Sequence, residues 1–364
     1  MKARLHSVRQ EMARRELDAV LVSQPENRFY LSGFDGSSGH LLITASQATL
    51  ATDFRYTEQA GKQAPDYASF QIAGATSAWL PGLLSGLESG NLGFEAGHVS
   101  FAMHRQLADV VNETRPGLNL VPMEGLVEEL RATKEACEIG LIARAAEIAD
   151  TALEEVAARL REGMTEKEVA WELERSMRES GSQTLPFDII VASGPNAALP
   201  HHHPSERRIQ AGETVVIDMG ARIGGYCSDL TRTLCLGRPD STLKRVYSTV
   251  LEAQQAAIAG IKDGMSGHEA DALARQVIKK AGYAEAFGHA LGHGVGLAAH
   301  EEPRLGPNSS GTLEADMVFS IEPGIYLTGW GGVRIEDLAV MENGGPRLLS
   351  KAKKQDMTGG QSHT

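Results

Sequence analysis

The chain has little that would tie it to nucleic acid, a membrane or an oxidising compartment. Lys and Arg number 35 against 47 Asp and Glu, a formal net charge of −12, so no basic face is on offer to track phosphates. No apolar run approaches the roughly 20 residues that span a bilayer. Cysteine occurs three times, at Cys137, Cys227 and Cys235. That odd number, without metal-type spacing, reads as reduced thiols in a cytoplasmic protein. The segment Met1-Lys2-Ala3-Arg4-Leu5-His6 opens a charged amphipathic helix pattern, not a signal peptide. Trp79, Trp171 and Trp330 carry no signal beyond packing.

What is there begins with length. At 364 residues the chain exceeds one ordinary core, and two domains are expected, 1–125 and 126–364. The first reads as α/β: a helix pattern at Leu5, Val8, Met12 and Leu17, then strand-like runs at 19–22, 41–44 and 49–52. The stretch Gly33-Phe34-Asp35-Gly36-Ser37-Ser38-Gly39 reads as a plain loop or an anion cradle. Arg115-Pro116-Gly117 through Pro122 reads as the approach to the domain boundary, and a long helix follows from about Lys134 to Leu160. The tail from Lys351 to Thr364 is polar and reads as disordered.

The second half repeats itself. Gly163-Met164-Thr165-Glu166-Lys167-Glu168 matches Gly264-Met265-Ser266-Gly267-His268-Glu269, each a capping box opening a helix that ends near Gly181 or Gly282. Each copy then carries an apolar strand ending in a carboxylate, a turn, and a second carboxylate strand. Asp218 and Asp229 belong to the first copy, Glu322 and Glu336 to the second. A carboxylate closing an apolar strand is costly unless paired or coordinated. If Asp218 faces Asp229 the turn centres near Ile223-Gly224, and if Glu322 faces Glu336 it centres near Gly329. Opposed carboxylates at the 4.5–5.5 Å typical of cross-strand pairs would repel, and a cation between them removes the conflict. With His293 inside Gly292-His293-Gly294-Val295-Gly296, these acids form a candidate metal-ligand set for a hydrolytic metalloenzyme.

These residues resemble a known family. Val216-Ile217-Asp218-Met219-Gly220, Ser228-Asp229-Leu230-Thr231-Arg232-Thr233, Gly292-His293-Gly294-Val295-Gly296, Ile321-Glu322-Pro323-Gly324 and Val333-Arg334-Ile335-Glu336-Asp337 are similar to motifs of the pita-bread metallopeptidases. Within them the likeness is to Xaa-Pro peptidases, prolidase and aminopeptidase P. Tyr30-Leu31-Ser32-Gly33-Phe34 and Thr52-Asp53-Phe54-Arg55-Tyr56 resemble the family's N-terminal creatinase/prolidase domain. The resemblance implies an α/β (α+β) chain, with that domain followed by a pseudo-twofold pita-bread catalytic domain. It implies a homodimer, while charge and the lack of a long apolar run leave no nucleic-acid or membrane partner expected.

It also implies two divalent cations, Mn²⁺ with Co²⁺ or Zn²⁺ as substitutes. Asp218 would hold one, Asp229 and Glu336 would bridge both, and His293 and Glu322 would complete the second. The expected chemistry is attack of a hydroxide shared by the pair on the carbonyl before proline, with Glu322 managing the proton. His201 and His300 would stabilise the tetrahedral intermediate, though His202 and His203 beside His201 leave the registry open. His289 is a substrate-pocket residue or a loop histidine. Arg334 pairs with a ligand carboxylate or reads a substrate carboxylate, and Arg304 is the other reader or a surface salt bridge. Tyr326 is a hydrogen-bond donor or core. The leading activity is Xaa-Pro dipeptidase, with aminopeptidase P on longer peptides as the alternative. A non-catalytic peptide-binding module of this fold is more distant, because such modules are expected to have lost ligands. Methionine aminopeptidase lacks this N-terminal domain, and creatinase lacks the ligands.

Overall fold

The computed structural model describes residues 1–357, and the chain divides between Arg131 and Ala132 into two units. In the first, helix Lys2–Arg14 buries Leu5, Val8 and Met12, one stripe at helical spacing. Six strands form a sheet in the order Ala68–Ile72, Ala48–Asp53, His40–Thr44, Ala19–Val22, Ser89–Glu95, Gly117–Met123. Ala19–Val22 is buried at every position, as an interior strand covered on both faces should be. It pairs antiparallel with His40–Thr44 and parallel with Ser89–Glu95.

Two expectations for this unit are corrected or resolved. Gly117–Met123 is the parallel edge strand, not the approach to a boundary. Pro122, which has no N–H, is tolerated there because it lies on an edge. The helix that follows stays with the sheet: Tyr30 Oη donates to Leu130 O at 3.1 Å, and Arg131 Nη1 to Asn27 Oδ1 at 2.7 Å. The loop from Gly33 to Gly39 is a plain loop. Its Gly36 and Gly39 carbonyls turn onto the buried Arg28 guanidinium at 2.5 and 2.8 Å, so it encloses a cation of its own.

The second unit is the duplicated one. Thr165 and Ser266 each accept from the amide of the glutamate three residues on, and Glu168 and Glu269 return a bond to the cap backbone. The helices run Glu166–Glu179 and Gly267–Lys280, with Gly181 and Gly282 following at φ 101° and 86°. The likeness extends to tertiary hydrogen bonds. Gly163 N donates to Ile209 O at 2.9 Å as Gly264 N does to Leu313 O at 2.8 Å. Ile209 N returns to Met164 O at 2.9 Å as Leu313 N does to Met265 O at 2.8 Å.

Each copy has its own core. Helices Ala136–Ala157 and Glu166–Glu179 pack Leu153, Val169 and Leu173 on Val215 and Ile217. Helices Ser241–Gly260 and Gly267–Lys280 pack Val246, Val250 and Ala274 with Phe319 and Ile335. A fully buried Val or Leu contributes about 1.5–3 kcal/mol, so each copy is held from its own side. The strands form a three-stranded sheet, Leu230–Cys235, Thr214–Met219 and Ile190–Ser193. The other copy has a five-stranded sheet ordered Glu301–Leu305, Gly292–Gly294, Val318–Ile321, Asp337–Glu342, Gly345–Leu348.

The copies meet along one seam. Glu336 N donates to Thr231 O at 3.1 Å, and Thr233 Oγ1 accepts from Arg334 N at 3.0 Å while donating to Arg334 O at 2.8 Å. The tail is also part of this unit as far as Met357, which overturns the expectation of disorder from Lys351. Lys351 N and Ala352 N donate to Asp150 at 2.7 and 2.9 Å, and Lys354 Nζ meets Asp337 at 2.6 Å. The segment is polar because it supplies donors to buried charges, and Ala352 and Met357 are themselves buried. Residues 358–364, the rest of that expectation, lie outside those described.

Candidate metal centre

The four candidate acids each stand at or next to the end of a buried strand. Asp218 lies near the end of Thr214–Met219, and Asp229 immediately precedes Leu230–Cys235. The expectation that these two oppose each other is corrected: Asp218 pairs with Thr231. The cause is the turn. Ile223 pairs with Tyr226, leaving Gly224-Gly225 as a two-residue turn with φ 57° and 86°. Such a turn needs positive φ at both positions, which β-branched Ile223 would resist. In the second copy, Ile321 pairs with Asp337 and Gly324 with Arg334, a register that sets Glu322 across from Glu336.

His293 is brought in by close backbone approach. A Cβ at Gly292 would lie 1.9 Å from Ser320 O, and one at Gly294 2.1 Å from Glu302 O, so the glycines flanking His293 let three strands crowd together. His293 Nε2 then lies 3.2 Å from Glu322 Oε1 and 3.7 Å from Asp229 Oδ2. Ligand atoms of Asp229, His293 and Glu336 all fall within 4.8 Å of one another.

The electrostatics follow from crowding acids away from water. Burial, then the charges of Glu336, Asp218 and Glu322, push the Asp229 carboxyl well above its ordinary range. Burial, then Glu322 and Asp218, do the same to Glu336. Burial also works against ionised Glu322, but the hydrogen bond and charge of His293 outweigh it and hold that carboxyl at about 2. Burial lowers His293, and Glu322 reverses this and brings it to about 9.

The donor set fits a divalent cation: hard carboxylate oxygens with a single imidazole. Asp218 supplies a further sign. Its Oδ2 meets Arg334 Nη2 at 2.6 Å, while its Oδ1 is buried with no hydrogen-bond partner. An orphaned buried acceptor is costly, and a cation would satisfy it.

The surrounding residues resolve several alternatives. Arg334 is 3% exposed and donates to Thr231 Oγ1, Pro200 O, Tyr326 Oη and Asp218 Oδ2 at 3.1, 3.3, 2.9 and 2.6 Å. Four of a guanidinium's five donors are thus spent inside the chain, so of the two alternatives for Arg334 the structure shows the pairing with a ligand carboxylate, Asp218. Arg304 is exposed, and among the described residues no carboxylate pairs with it, so it is not held in a surface salt bridge. It lies opposite His293 in the strand register.

Tyr326 is a donor. His289 Nδ1 faces Ala290 O at 2.8 Å, which leaves Nε2, 2.9 Å from Tyr326 Oη, as the acceptor. Burial lowers the His289 pKa and keeps the ring neutral. His300 lies beside His293, ring centres 4.2 Å apart and planes tilted by 47°, and its pKa is lowered by burial, then by His293, with His201 adding to the effect. His201 is exposed but follows Pro200, whose carbonyl accepts from Arg334 at 3.3 Å beside the cluster, whereas His202 turns away to buried Glu166 at 2.8 Å, and His203 is exposed as well.

Sequence reasoning missed the scaffolding. Thr231 Oγ1 donates to Glu336 Oε2 at 2.8 Å across the seam. Gln254 Nε2 donates to Ile321 O and Ile335 O at 3.1 and 3.2 Å, the residues immediately before Glu322 and Glu336. The Lys134–Glu301 pair, 2.9 Å apart and nearly fully buried, anchors the residue after His300. Thr231 sat inside a visible motif, but nothing local marks Gln254 or Lys134.

A duplicated α/β half with acids and a histidine gathered at its seam, preceded by a separate sheet unit, defines the class: a protein built to hold divalent cations for hydrolytic chemistry. Residues 140–343 match metallopeptidase family M24, and residues 4–133 match the creatinase/prolidase N-terminal domain. The chain belongs to metallopeptidase family M24. It is 41% identical to a solved Xaa-Pro dipeptidase from Bacillus anthracis, covering 97% of this chain and 98% of that one with a TM-score of 0.93. It is 36% identical to the Xaa-Pro dipeptidase of Pyrococcus furiosus over 98% of this chain and 99% of the relative. An X-Pro aminopeptidase structure from Thermotoga maritima is 36% identical, with 93% and 97% covered and a TM-score of 0.84.

Proposed function

We propose that this metallopeptidase is an Xaa-Pro dipeptidase, cleaving the peptide bond before proline in dipeptides. The observation that carries the reading is the convergence of Asp218, Asp229, His293, Glu322 and Glu336 in a chain that matches such dipeptidases over nearly its whole length. These five residues would hold two divalent cations, Mn²⁺ by ligand hardness with Co²⁺ or Zn²⁺ as substitutes. Bound there, the cations supply Lewis acidity that ionises water near neutral pH and polarises a carbonyl.

The chain's own groups do the rest. Glu322 accepts a proton and passes it on to the leaving proline nitrogen. His201 and His300 donate to the oxygen where charge develops. Arg304, exposed and opposite His293, meets the dipeptide's terminal carboxylate. Neutral His289, fixed by Tyr326, lines the substrate pocket. Three cysteines free of disulfides accord with a cytoplasmic enzyme, and no helix among the described residues is long and apolar enough to cross a membrane. The homodimer is the assembly expected of such an enzyme, and light scattering checks it.

The second reading, aminopeptidase P, is favoured by the likeness to the Thermotoga maritima X-Pro aminopeptidase. A substrate-length series with added Mn²⁺ separates the two. Turnover should be efficient on Xaa-Pro and weak on Xaa-Pro-Yaa-Zaa. Efficient release from the tetrapeptide alone overturns the dipeptidase reading.

A further inference from the structure

Glu166 is the first residue of its helix and has no exposed surface, yet the helix does not need it. The cap is complete with Thr165 and Glu168, and the second copy builds the same cap with Gly267 at the equivalent position. A Cβ at Gly267 would lie 2.0 Å from Arg304 O, so that copy uses the position for backbone packing. In the first copy the carboxylate instead gathers donors from two short stretches, 193–196 and 202–205. Ser193 N and Oγ each lie at 2.8 Å, Asn196 Nδ2 at 3.0 Å, His202 Nε2 at 2.8 Å, and Ser205 N and Oγ at 3.0 and 2.6 Å. The segment it grips carries His201. On the other flank of His201, Pro200 O is held by Arg334 at 3.3 Å, and Arg334 holds Asp218. His201 is thus suspended between a buried carboxylate and the guanidinium of the metal cluster.

We propose that Glu166 is a positioning residue for the reaction: by fixing His202 and Ser205 it sets where His201 points. This rests on the reading of His201 as an oxyanion donor. A donor displaced by about 1 Å loses about a hundredfold in rate, so the effect is large without Glu166 touching substrate.

The test is a double-mutant cycle on the Mn²⁺-loaded enzyme with an Xaa-Pro dipeptide. Glu166→Gln keeps the shape but sets an amide against the serine donors. It should lower kcat about tenfold to a hundredfold with KM and metal content near the parent's. In a His201→Ala background the same change should cost less than about twofold, because the group it acts through is gone. In the metal-free protein, amides at 199–206 should exchange faster in Glu166→Gln while those of helix Glu166–Glu179 do not. His202→Gln, at a half-buried site, repeats the cycle if Glu166→Gln does not fold. An equal loss in both backgrounds, an unchanged kcat, or unchanged loop exchange overturns the proposal. Full activity in His201→Ala alone overturns the oxyanion reading and this inference with it; a slow His201→Ala with an additive Glu166→Gln overturns only the inference.

Discussion

Glu336→Gln should change sign with the metal, and that reversal probes the centre more directly than activity does. Glu336 is 2% exposed, and its ligand oxygen lies within 4.8 Å of that of Asp229. Two like charges at that separation repel by about 3 kcal/mol at an effective dielectric near 20. Protonation relieves part of this, which is why both carboxyls are pushed upward. The amide keeps an oxygen to accept from Thr231 Oγ1 but removes the charge. The metal-free variant should therefore melt at or above the metal-free parent. With cation at a thousand times Kd, binding at one site stabilises the parent by about 4 kcal/mol. For a unit of this size that is about 8–16 °C in Tm. The variant should lose most of that rise, bind less than the parent's complement of cation and lose turnover. Scanning calorimetry with chelator or Mn²⁺, together with metal analysis, reads all three. A metal-free variant melting well below the parent, or a variant retaining two cations and full activity, would show that Glu336 is not a bridging acid.

Other outcomes follow from single contacts. His201→Ala should slow turnover by about a hundredfold to a thousandfold with metal content intact, the usual loss for an oxyanion donor; His202→Ala should cost much less, and the reverse order in a kinetic comparison means the loop registry is wrong. Arg304→Met should raise KM for an Xaa-Pro dipeptide about tenfold to a hundredfold while barely affecting the C-terminally amidated substrate; an equal effect on both removes Arg304 from carboxylate recognition. Lys354→Met takes one cation from Asp337, which is 1% exposed and also held by Arg232, and should cost about 2 kcal/mol in a denaturant titration; no loss means the tail is not holding the core.

The acid limb of stability tests Glu166. Burial raises its pKa, and the bonds from Ser205, His202 and Ser193 reverse this and hold it at about 2, against an ordinary 4.5. A lowered carboxyl contributes stability above its unfolded pKa and loses it as pH falls through the folded one. Between pH 4.5 and about 2 the parent should lose about 3 kcal/mol that Glu166→Gln never had, so their unfolding curves should converge in acid. A gap independent of pH refutes the shift.

The repeat was legible because caps and alternation are local. Thr165 with Glu168 and Ser266 with Glu269 announce helix starts within four residues, and Asp218 and Glu322 each close an apolar strand that makes an acid conspicuous. Pattern alone places the turn between Asp218 and Asp229 one residue early, because its position hangs on which residues tolerate positive φ. The order of the tail is not legible in composition, which does not reveal whether a lysine meets water or the buried Asp337.

By itself, then, the sequence determined the two-unit α/β plan, the duplicated half and the residues able to serve as ligands, since each is written in short-range pattern. Only the tertiary structure decided that Asp218 opposes Thr231, that Arg334 is spent on Asp218 and Tyr326, and that His202 belongs to Glu166 while His201 does not. Those choices join residues from 8 to 116 positions apart in the chain. They turn on which buried donor fills which buried lone pair, a competition settled by packing rather than by any local propensity.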